Sequence, residues 1–419
     1  MTPPPGSAAR MEAILATVSA GRMAATVATL ASADFTGRRV GTAGGAAARA
    51  WLADHLTAFG ATVHTDDFPV RAVPDGYAAP TVVWGTGPAS TPLVFGREVA
   101  IHSASRDAGE ARRGPLGLAG SGDPTGRWLV VPPGMSLFDA YAYADAQDAA
   151  GLLVSRAVGA DGWQYTTLAG PDPGLLPILT LDADTHRAVL AAATGEGWLS
   201  GNTPLRRRDV TGTNIHATFH PAPPGGVDLL LTAHYDGVGD HPGLRQPGAA
   251  DNASGVAVVL EAARVLSAAL PAGVGLSVAL LDAEEVGALG SARHSQRLRA
   301  GDAYPLVINV DGAGLLDRAA AVEAGGPAHA LLALLDQAGR HTGVPLAAGP
   351  VASDNRRYAA AGLPAVGIGA GMAGYHSPAD TPDRVEAETL RAVARLVVAT
   401  ACLASPTPTT LPSAIGDER

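Results

Sequence analysis

The sequence predicts an α/β protein, a mainly parallel sheet with mixed edges covered by helices, into which a smaller β-rich domain is inserted. Three observations point there. From Asp209 onward, short apolar runs alternate with segments of helical periodicity, as in a parallel sheet buried on both faces. Between Pro74 and Arg208 the texture changes to short strands broken by Pro and Gly. Across 419 residues, 47% are hydrophobic and 16% charged, enough apolar material for two or three cores and too little charge for a disordered chain.

The first block, residues 11–73, reads as helix, turn, helix and strand. Met11 to Leu30 has helical spacing interrupted by Glu12 and Arg22. Gly41 to Gly45 punctuates, Ala46 to Phe59 is Ala-rich with apolar residues at helical intervals, and Ala61 to Val70 alternates like a half-buried strand. The second block, residues 74–208, offers strands at Thr81–Trp84, Trp128–Val131, Gly151–Val154 and Leu176–Leu181, and helices at Asp139–Ala150 and Asp182–Ala193. In the third block, residues 209–405, apolar strands run Val227–Ala233, Leu276–Leu281, Leu306–Val310 and Pro364–Ile368. Helices run Ser254–Ala269, with Asp251, Asn252 and Ser254 as capping candidates, and Glu386–Cys402. Blocks one and three form one discontinuous domain and block two is inserted in it. Residues 1–10 and 406–419, rich in Pro, Ser and Thr, are expected to be loose tails.

Charge and cysteine count narrow the chemistry. The formal charge is −10, and all 29 basic residues are arginine, with no run longer than Arg206-Arg207-Arg208, so nucleic-acid binding is not expected. The one cysteine, Cys402, excludes an internal disulfide and a thiolate metal cluster, leaving any metal to His, Asp and Glu. No run of about 20 uninterrupted apolar residues occurs, so no membrane partner is expected. The N-terminus lacks the apolar segment of a signal peptide, so a cytoplasmic location is expected, with a mature secreted form left open.

Acids and histidines stand where predicted strands end, the side of an open α/β sheet on which ligands bind. His234 follows the first such strand, Glu284 and Glu285 the second, Asp311 the third, and His376 lies in the Gly-rich loop beyond the fourth; Asp251 opens the helix after the first. Two imidazoles and three carboxylates (His234, Asp251, Glu285, Asp311, His376) then share one crevice. If Asp251 bridges, each of two cations receives three protein ligands and keeps open positions, which suits catalytic Zn²⁺, two per chain. Adjacent residues of an extended chain end point opposite ways, so Glu285 is read as a ligand and Glu284 as general base and then acid. Asp236, two residues beyond His234, is placed to accept that imidazole's second N–H.

Thr232-Ala-His-Tyr-Asp236, Asp251-Asn-Ala-Ser-Gly255, Ala283-Glu-Glu-Val-Gly-Ala-Leu-Gly-Ser291, Asn309-Val-Asp311 and Tyr375-His-Ser-Pro-Ala-Asp-Thr381 together resemble the ordered motifs of the M28 zinc aminopeptidases. Gly37-Arg-Arg-Val-Gly-Thr-Ala-Gly44 is similar to the N-terminal part of such enzymes, and block two resembles their protease-associated insert in position and texture. The resemblance implies the phosphorylase/hydrolase-like zinc peptidase core. It implies His234 and Asp311 on one zinc, Glu285 and His376 on the other, Asp251 bridging through a cis Asp251–Asn252 bond, and Glu284 as proton shuttle. It also implies that Tyr375 steadies the carbonyl oxygen and that the substrate is a peptide with a free N-terminus.

Plainer readings stand beside these. Asp251 could be a helix cap alone, Asp236 and Asp311 turn formers, and Tyr375 ordinary packing; Asp380 either orients a ligand or shapes the turn into the last helix, with the turn slightly favoured. His241, His294, His329 and His341 lie off the strand ends and are read as surface or helix residues. Other amide chemistry on the same scaffold (a carboxypeptidase or glutaminyl cyclase) and a non-catalytic metal-site binding protein are the alternative functions. Side-chain preference and oligomeric state are not legible in the sequence.

Overall fold

The computed structural model describes residues 7–145, 148–170, 172–270 and 273–404. Helices α1 (Ser7–Leu15), α2 (Ala20–Leu30) and α3 (Ala43–Ala58) lead into β1 (Thr62–Gly76). Then come β2 (Val82–Thr86), β3 (Thr91–Pro92), β4 (Val99–Ile101), β5 (Ala108–Leu118), β6 (Trp128–Val130), α4 (Leu137–Asp145), β7 (Gly151–Ser155), β8 (Ile178–Leu181), α5 (Ala183–Ala192) and β9 (Gly197–Thr203). The chain returns through β10 (Leu205–His220), β11 (Val227–His234), α6 (Ser254–Ser267), β12 (Val274–Leu281), α7 (Leu289–Ala300) and β13 (Leu306–Val310). It ends with β14 (Ala320–Gly325), α8 (His329–Thr342), β15 (Leu346–Ala348), α9 (Asn355–Ala360), β16 (Ala365–Gly369) and α10 (Ala387–Leu403).

Two eight-stranded sheets result. The first has the order β1-β10-β12-β11-β13-β16-β14-β15, and the second β3-β2-β9-β5-β6-β7-β8-β4. In the first, β12, β11, β13 and β16 are mutually parallel, while β1, β10 and β14 pair antiparallel at its flanks. This is the mainly parallel, mixed-edge α/β arrangement expected.

The central strands read as continuous apolar runs because helices cover both faces. Leu229, Leu231 and Ala233 of β11 join the core under α6 and α10. Leu230, one step out of phase, packs on the other face with Ala279, Leu281, Val307, Tyr358 and Ala365. That alternation is the period-two geometry of a strand. Close packing of α6 on β13 demands Gly255, where a Cβ would lie 2.2 Å from Asn252 Oδ1 and 2.5 Å from the Val310 carbonyl.

Several boundaries differ from expectation. The long strand β10 was read only as the start of block three; it begins at Leu205 and pairs along β1 to Gly76, so the two sheets part a few residues inside the expected limits. Its Thr and Arg content hides a buried strand whose polar residues bond to neighbours, as Thr213 does to Asp67. Helix α1 starts at Ser7, within the segment expected to be a tail; residues 1–6 and 405–419 lie outside the described residues. By length and composition Ala9–Leu30 could cross a membrane. The structure divides it into α1 and α2, with Met23, Val27 and Leu30 buried in the first sheet's core. At that break, the N–H of Ser19 donates to the buried carboxylate of Glu261, which also takes Arg22 and Arg264.

Candidate metal centre

Right-handed βα connections leave the carboxyl ends of parallel strands facing one crevice. His234 is the last residue of β11, Asp311 follows β13, Glu284 and Glu285 follow β12, and His376 lies in the loop after β16. Asp251 sits in the irregular turn Ala249–Ala253 that opens α6, and its bond to Asn252 is cis. Asn252 supports that turn, donating to the Val310 carbonyl and accepting from the N–H groups of Gly255 and Gly312.

The structure brings the five candidate ligands together in two groups. His234 Nε2 lies 3.3 Å from Asp251 Oδ1 and 3.3 Å from Asp311 Oδ1. His376 Nε2 lies 3.1 Å from Asp251 Oδ2 and 2.9 Å from Glu285 Oε2. Asp251 thus turns one oxygen to each group. Within each group the candidate donor atoms are within 4.8 Å of one another.

These residues fit a pair of cations. Tetrahedral bonds of ~2.0–2.1 Å would put neighbouring donor atoms about 3.3 Å apart, close to the spacings seen. Glu285 Oε1 is buried and has no hydrogen-bond partner among the described residues, the state of an acceptor awaiting a cation. The donors are nitrogen and oxygen, which suits Zn²⁺.

Protein-only electrostatics reflect the crowding of acids. Burial pushes the carboxyl of Glu284 well up, and the charges of Asp354, Asp311 and Glu285 add to it against the pull of His234. Glu285 is raised, first by burial and then by Asp251. Burial acts to lower both candidate histidines, His234 and His376, but the facing carboxylates outweigh it and hold both well above the usual imidazole range. A bound dication would reverse these directions, favouring neutral imidazole and ionised carboxylate.

Asp236 does more than the sequence suggested. Its Oδ1 and Oδ2 accept the backbone N–H groups of Glu284 and Glu285 at 3.1 and 3.2 Å, so it aims both glutamates. Its carboxylate is 3.5 Å from His234 Nδ1, and its own backbone carbonyl is nearer, at 3.2 Å. The main orienting partner of that ring is therefore the carbonyl. Tyr375 lies flat on His376, ring centroids 3.7 Å apart, with its ring partly open to solvent. Glu284, Glu285, Tyr375 and His376 line a cleft of about 560 Å³ together with Thr167 and Ala169.

Two supports escaped the sequence reading, and a third was only half seen. Asp380, read as a ligand orienter or a turn former, accepts the N–H groups of Ala250 and Asp251 at 2.6 and 3.1 Å. Arg38, fully buried, donates to the carbonyls of Leu30, Tyr235, Pro247 and Gly248 behind the site. Asp354 is buried near Glu284, and burial raises it to about 7. Asp380 and Arg38 fall inside the motifs Tyr375–Thr381 and Gly37–Gly44, which gave Arg38 no role, and Asp354 lies in a segment with no ligand spacing.

Residues 214–401 match peptidase family M28. No curated protein matches the sequence. Among solved structures, the aminopeptidase of Aneurinibacillus sp. strain AM-1 is similar at 21% identity and a TM-score of 0.71, over 94% of this chain and 95% of that one. BSAP, a zinc aminopeptidase from Bacillus subtilis, is similar at 21% identity and a TM-score of 0.69, over 91% and 94%. The glutaminyl cyclase of Porphyromonas gingivalis is similar at 17% identity and a TM-score of 0.50, over 92% and 98%. At these identities the likeness is one of fold.

Proposed function

From a chain whose residues 214–401 match peptidase family M28, we propose a two-zinc aminopeptidase that releases the N-terminal residue of a peptide. The observation that carries this reading is Asp251, which presents one oxygen to each of two three-residue donor groups. His234, Asp311 and Asp251 would hold one ion, and Glu285, His376 and Asp251 the other. When bound, the ions polarise the scissile carbonyl and lower the pKa of a water to about 7.

The chain's own residues do the rest. Glu284 lines the cleft, takes a proton from the attacking water as the new C–O bond forms, and gives it to the amine nitrogen as the C–N bond breaks. Asp236 fixes the backbone from which Glu284 and Glu285 project. Tyr375 stands beside His376, where its hydroxyl can meet the substrate carbonyl oxygen.

The test is hydrolysis of a panel of aminoacyl-anilides with zinc supplied, alongside metal analysis. Release of aniline with two zincs per chain is expected. No hydrolysis at saturating zinc would overturn the reading. An N-terminal glutaminyl peptide in the same panel separates cyclase chemistry, which releases ammonia and leaves the chain one ring closed rather than one residue shorter.

A further inference from the structure

One segment of the region that carries the second sheet, residues 161–169, reaches the metal centre and is tied down at both ends. Toward the second sheet, Gln164 is buried; its Nε2 donates to the Arg97 carbonyl at 3.1 Å and its Oε1 accepts from Thr180 Oγ1 at 2.6 Å. Arg156 donates to Thr167 Oγ1 at 2.9 Å. Toward the first sheet, both carboxylate oxygens of Asp161 meet the guanidinium of Arg384, at 2.7 and 2.9 Å. Thr166 Oγ1 accepts from Gln246 Nε2, and Tyr165 sets its ring edge-on to Tyr375, centroids 6.1 Å apart.

The decisive contact is backbone to backbone. The N–H of Thr166 donates to the carbonyl of His376 at 2.9 Å. His376 has a φ of +50°, a left-handed conformation that a residue with a Cβ keeps only when its surroundings impose it. The bonds inside its own loop, Ser377 to Gly374 and Ala379 to Ser377, close that loop on itself. Thr166 supplies the restraint from outside, on the ligand residue itself.

We propose that residues 161–169 are a positioning strap: the Thr166 N–H holds His376 in its ligating conformation, and the second sheet is thereby part of the active-site machinery. This rests on the reading of His376 as a metal ligand. The role of Thr166 is positioning, since it acts through His376. Thr167 and Ala169, on the same strap, line the same cleft as Glu284, so the strap couples ion retention to the shape of the substrate site.

The test is zinc occupancy of the full chain as a function of buffered free zinc, read by equilibrium dialysis. T166P removes the N–H and should raise the free zinc needed to fill one of the two ions by about 10–100-fold, the effect of losing an outer partner of a ligand. T166A keeps the N–H and should recover most of that affinity. D161A cuts the other anchor from the strap's side, leaving the bond from Arg384 to the Ala379 carbonyl in the His376 loop in place, and should weaken the same ion several-fold, which keeps the test open if T166P fails to fold. Wild-type zinc affinity in D161A and in folded T166P, or an equal loss in T166A and T166P, overturns the proposal. H376A separates the two readings: if it retains both zincs, the assignment of His376 fails; if it loses one while D161A and T166P lose none, only the strap fails.

Discussion

Asp380 accepts the backbone N–H of Asp251 at 3.1 Å, so the residue shared by the two donor groups is held from behind by a second acid. Its other oxygen takes the N–H of Ala250 at 2.6 Å. Truncating Asp380 to alanine strands both donors in a buried setting, at about 1–3 kcal/mol for each. D380A should therefore lower the unfolding free energy of the metal-free chain in urea by about 2–4 kcal/mol and weaken both ions in a zinc titration.

Glu284 is assigned proton transfer and no ligand bond. E284Q should cut kcat by about 10²–10⁴-fold with both zincs retained. Parallel loss of metal and turnover, measured on the same preparation, would contradict that division between Glu284 and Glu285.

Arg38 satisfies four carbonyls from a position closed to solvent. R38M keeps bulk and removes every donor. The expected loss, as four acceptors are stranded, exceeds about 3 kcal/mol. A thermal unfolding scan would show it whether or not zinc is present, which separates a scaffold defect from a metal defect.

On β10, beside Ala279 of β12, His216 stacks on His64, its cross-strand partner, and meets His294 at a tilt. Burial, then the nearby His64 and Arg297, push His216 down to about 4 against the pull of Asp66; burial and His216 push His294 down to about 3. Both rings are neutral in the folded chain and take up protons more readily when it unfolds. Their contribution to stability is present above about pH 6.5, the unfolded value, and is lost as pH falls toward 4 and 3. Urea midpoints at pH 7 and 5 should show acid destabilisation, and H216N should reduce the difference; equal pH dependence in the variant would refute this account.

The strands that end in candidate ligands were legible because burial on both faces makes them continuous apolar runs. Leu306–Val310 comes out at its predicted limits, and Val227–Ala233 and Leu276–Leu281 within two residues. The convergence of His234, Asp251, Glu285, Asp311 and His376 followed from strand-end placement. What stayed hidden acts through backbone groups. Arg38 binds four carbonyls and Thr166 one carbonyl by its own N–H, and Asp380, weighed only as a ligand orienter or turn former, binds two N–H groups. Such bonds use chemistry that every residue possesses, so no spacing announces them. Strand β10 was missed for a related reason: His216 and Asn214 are polar side chains accommodated by partners from elsewhere in the chain.

Gly76 and Leu205 are direct partners across β1 and β10. The excursion that builds the second sheet therefore leaves and re-enters the molecule through one doorway, on neighbouring rails. A tight hairpin spliced at that doorway would close the rails without disturbing their register. What it would discard is the hand that reaches back to His376. A chain closed there would need some other grip on that loop.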